Sequence, residues 1–155
     1  MSGAGGTTGS GERVERATRL VPASPQEIFD LLADPRRHGL IDGSDTVQEV
    51  VEAPERLSLG ATFRMDMKWG IPYRMRNEVV EFDEPVLIAW RHYGRHVWRY
   101  RLRAVEGGTE VTEEFDWGPS LVPWALRAMR APQRNAQSIE ATLDRLVAHF
   151  QPAGS

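Results

Sequence analysis

"HVWRYRLRAVEGGTEVTEEFDW", residues 96–117, is the stretch on which the fold turns. Two alternating runs flank Gly107-Gly108. Successive side chains of a strand point to opposite faces. In the first run His96, Trp98, Tyr100 and Leu102 share one face, and Val97, Arg99, Arg101 and Arg103 share the other. In the second, Val111, Glu113, Phe115 and Trp117 fall together. A Gly-Gly pair between such runs signals a tight hairpin. The arginine face belongs in water. The other face mixes aromatics with a histidine, a tyrosine and a glutamate, which suits the wall of a cavity better than a dry core.

Working upstream, "VLIAWRHY" is a further strand, and Gly94 separates it from the hairpin. "YRMRNEVVEF" alternates Tyr73, Met75, Asn77 and Val79 against Arg74, Arg76 and Glu78. "TFRMDMKW" alternates Phe63, Met65, Met67 and Trp69 against Arg64, Asp66 and Lys68. Gly70-Ile71-Pro72 and Glu84-Pro85 supply turns between them. Residues 46–52 form a short strand, and residues 12–21 another that ends at Pro22. Between these lies "SPQEIFDLLADP". Ser24 is an N-cap, Pro25 fits the first helical position and Glu27 completes a capping box. Asp34-Pro35 ends that helix and a polar link follows.

Downstream, Ser120 caps a short helix over residues 121–129, and Pro132 breaks or kinks it. Asn135, Ile139, Thr142, Leu143, Leu146, Val147 and Phe150 then recur at helical spacing. The order is strand, helix, a run of antiparallel strands and a long helix. Such a sheet buries one face, and the last helix is the element long enough to cover it. The class is α+β. We expect residues 12–150 to form one domain, with a disordered Gly/Ser-rich tail at 1–11 and a short C-terminal tail at 151–155.

Composition narrows the function classes. No cysteine is present, so thiol catalysis, thiolate metal sites and disulfides are excluded. The net charge is −3, which gives no electrostatic footprint for nucleic acid. The arginines of the outer face interleave with Asp66, Glu78, Glu114 and Asp116, as on a solvated, charge-mixed surface. No apolar run reaches membrane-span length, and the N-terminus lacks the features of a secretory signal. We expect a cytoplasmic protein, monomeric or weakly dimeric, with no stable membrane insertion.

"VPASPQEIFDLLADP", the W-x-Y run leading to "GGTEVTEEFDW", and "RNAQSIEATLDRL" together resemble the START-like or SRPBCC superfamily of the polyketide cyclase/dehydrase type. The likeness covers roughly residues 12–150. It implies the helix-grip fold: a seven-stranded antiparallel sheet curved around a long C-terminal helix, with a deep pocket between. It implies a pocket rather than one reaction, since members include lipid carriers, cyclases, quinone-binding chaperones and co-chaperones.

The expected ligand-binding residues are Met67, Trp69, Tyr73, Asn77, Trp90, His96, Trp98, Tyr100, Glu113, Phe115, Trp117, Asn135 and Ile139. They would hold a hydrophobic small molecule of aromatic, polyketide-like or lipid-like character. Met65, Val79, Ile88 and Leu102 read as plain core. Candidates for acid/base chemistry are His96, Tyr100 and Glu113. His92 reads as a partly exposed histidine at the sheet rim. Glu113 has inward parity. It either accepts a hydrogen bond from Tyr100 or His96, acts on a ligand carbonyl, or returns to an edge arginine or to solvent; the structural role is preferred. No cofactor and no metal site is expected. The functions that follow are ligand binding, polyketide cyclisation or dehydration, or a quinone- or chaperone-associated interaction module. The segment "PSLVPWALRAMRAP" reads as an amphipathic lid.

Overall fold

Strand pairing spreads from the 96–117 hairpin to both sides. The structure is a computed structural model that describes residues 13–42, 47–69, 71–92 and 95–152, without side chains at 47–51, 68–69 and 71–74. The expected N-terminal tail lies outside the described residues. Chain order is β1 (Val14–Val21), α1 (Pro25–Leu32), a 3-10 turn (Pro35–Arg37), α2 (His38–Ile41), β2 (Val47–Glu52), β3 (Thr62–Trp69), β4 (Ile71–Asp83), β5 (Leu87–His92), β6 (Val97–Val105), β7 (Gly108–Asp116), α3 (Pro123–Ala128) and α4 (Ala131–Phe150). The strands form one antiparallel sheet in the order β1-β7-β6-β5-β4-β3-β2. Apart from the β1–β7 closure, each strand pairs with its neighbour in sequence, as short turns dictate.

Local chemistry accounts for the ends of these elements. Ser24 accepts from the Glu27 backbone N–H, and the Glu27 carboxylate reaches back to the Ser24 N–H at 2.9 Å. The four orphan donors of the first turn are thereby partly satisfied. Ile28, Phe29, Leu31 and Leu32 of α1 are fully buried. At the β6–β7 turn a Cβ on Gly108 would lie 2.1 Å from the Val21 carbonyl oxygen, so only glycine fits. In β4 a bulge between Val79 and Glu81 shifts the alternation. Val79 and Phe82 therefore face inward while Glu81 meets Arg99 outside at 2.6 Å.

Helix α4 packs on β1 and β7 through Ile139, Leu143 and Leu146, each with no exposure. Pro132 sits in the first turn of α4 and starts this helix; Arg130, with φ of 58°, makes the left-handed corner that separates it from α3. The expected break thus comes two residues earlier. Where a featureless link was expected after Asp34-Pro35, the chain instead forms the 3-10 turn and α2. The Asp34 side chain caps that turn by accepting from the Arg36 N–H at 3.0 Å.

The two faces of the sheet differ in kind. On the convex side Arg16, Arg99 and Arg101 converge on Glu114 at 3.0, 3.3 and 3.1 Å. On the concave side lie Phe63, Ile88, Phe115 and their neighbours, packed against α1 and α4.

Candidate functional site

Between the concave face and the helices lies a cavity of about 510 Å³. Its sheet wall is built in rungs, because residues of one parity on paired strands stand side by side. The first rung is Asn77, His92 and His96, set by the Asn77–His92 pairing and the His92 N–H bond to the His96 carbonyl at 3.0 Å. The second is Trp90, Trp98 and Phe115. The third is Tyr100 and Glu113. Opposite them stand Asn135, Ser138 and Thr142 of α4, Leu126 and Met129 at the α3 end, and His38 and Ile41 of α2.

Aromatic contacts stiffen this wall. The Trp98 and Phe115 rings are 4.9 Å apart, and the His92 and His96 rings 4.8 Å. His38 stacks on Trp90 at 4.8 Å with a 20° interplanar angle, and its Nε2–H donates to the Leu32 carbonyl at 2.8 Å. Offset ring pairs at such distances add roughly 0.5–1.5 kcal/mol each beyond area burial.

Burial favours the uncharged forms of the cavity's histidines and of Glu113. Burial drives the His96 pKa down to about 4. His92 falls well below the ordinary histidine value, through burial first and its neighbour His96 second. Burial also lowers His38, against the hydrogen bond to Leu32. Glu113 is 3% exposed, and burial pushes its carboxyl well above the usual range; nearby Asp42 adds to this and the Tyr100 hydroxyl opposes it. Tyr100 rises too, through burial first and the neighbouring Glu113 carboxyl second. The Tyr100 hydroxyl donates to Glu113 Oε2 at 2.9 Å. Glu113 Oε1 and Asn77 Oδ1 are buried without a hydrogen-bond partner. Unpaired buried polar atoms are uncommon in folded proteins and call for a reason.

Of the residues expected to meet a ligand, the cavity wall brings together Met67, Asn77, Trp90, His96, Trp98, Tyr100, Glu113, Phe115 and Asn135. Two lie elsewhere. Ile139 is fully buried on the sheet side of α4, and Trp117 sits at the sheet end between the guanidiniums of Arg13 and Arg127, 5.6 and 5.1 Å from its ring. Trp69 and Tyr73 lie outside the described side chains. Glu113 finds neither arginine nor solvent: β7 carries no bulge there, and its parity holds it inside. His92, expected to be partly exposed at the sheet rim, is half-buried there and also borders the cavity, whose wall Met65 joins. Among the described residues no three His, Cys, Asp or Glu side chains are grouped to hold a metal ion.

Residues 14–151 match the family described as polyketide cyclase / dehydrase and lipid transport. The chain belongs to that family. Its structural relatives are START-like and AHSA1-like proteins. A protein from Rhodobacter sphaeroides aligns with a TM-score of 0.69 at 19% identity, covering 92% of this chain and 93% of its own. An AHSA1-like protein from Aeromonas hydrophila aligns with a TM-score of 0.63 at 12% identity, covering 92% and 97%. At such identities the likeness concerns the fold. In sequence, the uncharacterized protein Rv0088 of Mycobacterium tuberculosis is 36% identical over 140 residues, 86% of this chain. The chain spans 62% of the length of that relative.

The family's description concerns polyketides and lipids, both hydrophobic molecules, and the cavity lies between the sheet and the helices. Several wall residues carried no periodic signal. His38, Ile41 and Asp42 come from or adjoin a four-residue helix, too short for any hydrophobic stripe to be read. Arg134 and Met129 line the wall from the α3–α4 corner. Among the described residues no helix is long and apolar enough to cross a membrane.

Proposed function

We propose that this protein binds a hydrophobic small molecule, aromatic, polyketide-like or lipid-like, in the cavity between the sheet and α4. One observation carries this reading: a cavity of about 510 Å³, walled by aromatic and Met side chains, with polar atoms of Glu113 and Asn77 buried and unpartnered at its wall. The volume falls within the ~300–1,000 Å³ typical of small-molecule sites. A guest burying roughly 250 Å² of apolar surface gains about 6 kcal/mol before the costs of association.

The test is tryptophan fluorescence during titration with flavonoids, fatty acids and quinones. Trp90 and Trp98 would report contact directly. Ser138→Phe projects a ring from α4 into the cavity. It should weaken binding at least about tenfold while the thermal transition stays in place. Wild-type protein that binds none of the panel removes the reading. Unaltered affinity in Ser138→Phe moves the guest out of the cavity.

A second reading, polyketide cyclisation or dehydration, draws on one arrangement. A protonated Glu113 backed by Tyr100 stands two rungs from two uncharged imidazoles. Dehydration of a β-hydroxy ketone needs a base to take the α-proton and an acid to protonate the departing hydroxyl. Glu113 suits the acid. With a pKa of about 4, however, His96 is a poor base at neutral pH. Binding is therefore the first reading. Conversion of a β-hydroxy ketone to its enone by the wild type, abolished in Glu113→Gln, would reverse that order.

A further inference from the structure

Glu113 holds a position that core packing does not account for. Its backbone alternation directs a carboxyl to the cavity wall. Oε2 accepts from Tyr100, and Oε1 has no partner. Among the described residues no cation pairs with it, and Asp42, an acidic residue, lies nearby. A buried carboxylate without a cation is costly, so the group stays protonated and its second oxygen carries the proton. Tyr100 donates to one oxygen, which leaves the acid proton of the other as a donor without an acceptor. The terminal torsion of a glutamate is broad and roughly two-fold, so turning that donor toward a guest costs little.

From this geometry we propose that Glu113, held by Tyr100, recognises a neutral carbonyl or quinone oxygen on an aromatic guest. The assignment rests on the ligand-binding reading above and adds the ligand chemistry and the residue that selects it. Val, Ile or Leu at position 113 would fill the same volume without an unpaired donor. A donor at this point favours a guest that brings an acceptor, since leaving the donor bare costs more than making the bond returns.

Matched probes test this. Xanthone and xanthene share shape and differ at one carbonyl. Each is titrated by fluorescence into wild type, Glu113→Gln and Glu113→Leu, after melting curves establish that the variants fold. Wild type should prefer xanthone over xanthene by about five- to tenfold, the worth of one buried hydrogen bond. Glu113→Leu should erase that preference, chiefly by raising xanthene affinity, since no donor is then left bare. Glu113→Gln, which still offers an N–H donor, should keep most of it. Should Glu113→Leu fail to fold, the infrared carbonyl band of bound xanthone decides: a shift to lower wavenumber in wild type, relative to xanthone in hexane, supports the assignment, and an unshifted band overturns it. Equal affinities for xanthone and xanthene in wild type, or a preference that survives in Glu113→Leu, also overturn it while leaving the cavity reading intact. A folded wild type that binds none of the probes, or any of the flavonoids, fatty acids and quinones, sinks both.

Discussion

Glu113 and Glu114 are adjacent in β7, nearly equally buried at 3% and 5% exposure, and chemically identical, yet they live in opposite electrostatic worlds. Glu114 points to the convex face. There Arg16, Arg99 and Arg101 donate to it and hold its pKa below the usual carboxylate value, in spite of burial. Glu113 points to the concave face, meets a tyrosine and no cation, and is pushed well above that value. Burial alone therefore does not set the state of a carboxyl; the partners delivered by the pleat do. One residue of offset along a strand turns a structural anion into a neutral hydrogen-bonding group at a cavity.

The sharpest break of that comparison is Glu114→Ala. Arg99, whose side chain is 14% exposed, would lose one of its carboxylates, and we expect about 3 kcal/mol of destabilisation in urea unfolding. Two of the three arginines are half exposed, so their share is small. Glu113→Gln, one residue away, should change stability by less than about 1 kcal/mol, because the native group is already uncharged. A reversal of these two effects would undo the assignment of faces.

Next in size is the pH dependence. The folded pKa of His96 lies below its ordinary 6.5, at about 4, so its contribution is complete above pH 6.5 and is lost as pH falls toward 4. The loss amounts to at most about 3 kcal/mol, and His96→Phe should flatten it. Glu113 has the opposite sign. Its folded pKa is raised, so its contribution is complete below 4.5 and declines as pH rises toward the folded value. Chemical denaturation across pH, compared with Glu113→Gln, checks the direction. Glu113→Gln should gain on wild type as the solution becomes alkaline.

Tyr100→Phe comes third. It strips Glu113 of the one hydrogen bond it makes and should cost about 1–2 kcal/mol. Smallest is Arg103→Ala on the convex face. Arg103 is 70% exposed and pairs with Glu110 at 2.9 Å, so its loss should fall below about 0.5 kcal/mol in the same unfolding assay. An effect as large as that of Glu114→Ala would mean that exposed pairs, not the buried hub, hold the convex face together.

Alternation made the concave wall readable in the sequence. Trp90, Trp98, Tyr100, Glu113 and Phe115 are where parity put them, because β5, β6 and β7 pair without a bulge in this region. Parity says which face a side chain takes, not how far along the strand the cavity extends. Trp117 has the right parity and yet lies past the cavity, under Arg13 and Arg127. Ile139 shares the apolar stripe of α4, but the stripe splits: Ile139 goes to the sheet, and Asn135 and Thr142 to the cavity. His38 was hidden for a different reason. Stacking on Trp90 and a hydrogen bond to Leu32 fix it, and both partners are distant in pattern from its own short helix. His92 keeps the partly exposed rim position expected of it, and its ring also packs beside His96 and Trp98 at the cavity edge.

Helix α3 shows one side to the cavity, through Leu126, and leaves Trp124 70% exposed on the other. That split has an optical consequence. Trp90 and Trp98 sit in an apolar wall and should emit at short wavelength, shielded from iodide. Trp124 should emit at long wavelength and be quenched by iodide at near the collisional rate. A guest in the cavity would change the shielded emission and spare the quenchable one, so the molecule carries an internal reference against which occupancy is read in a single cuvette.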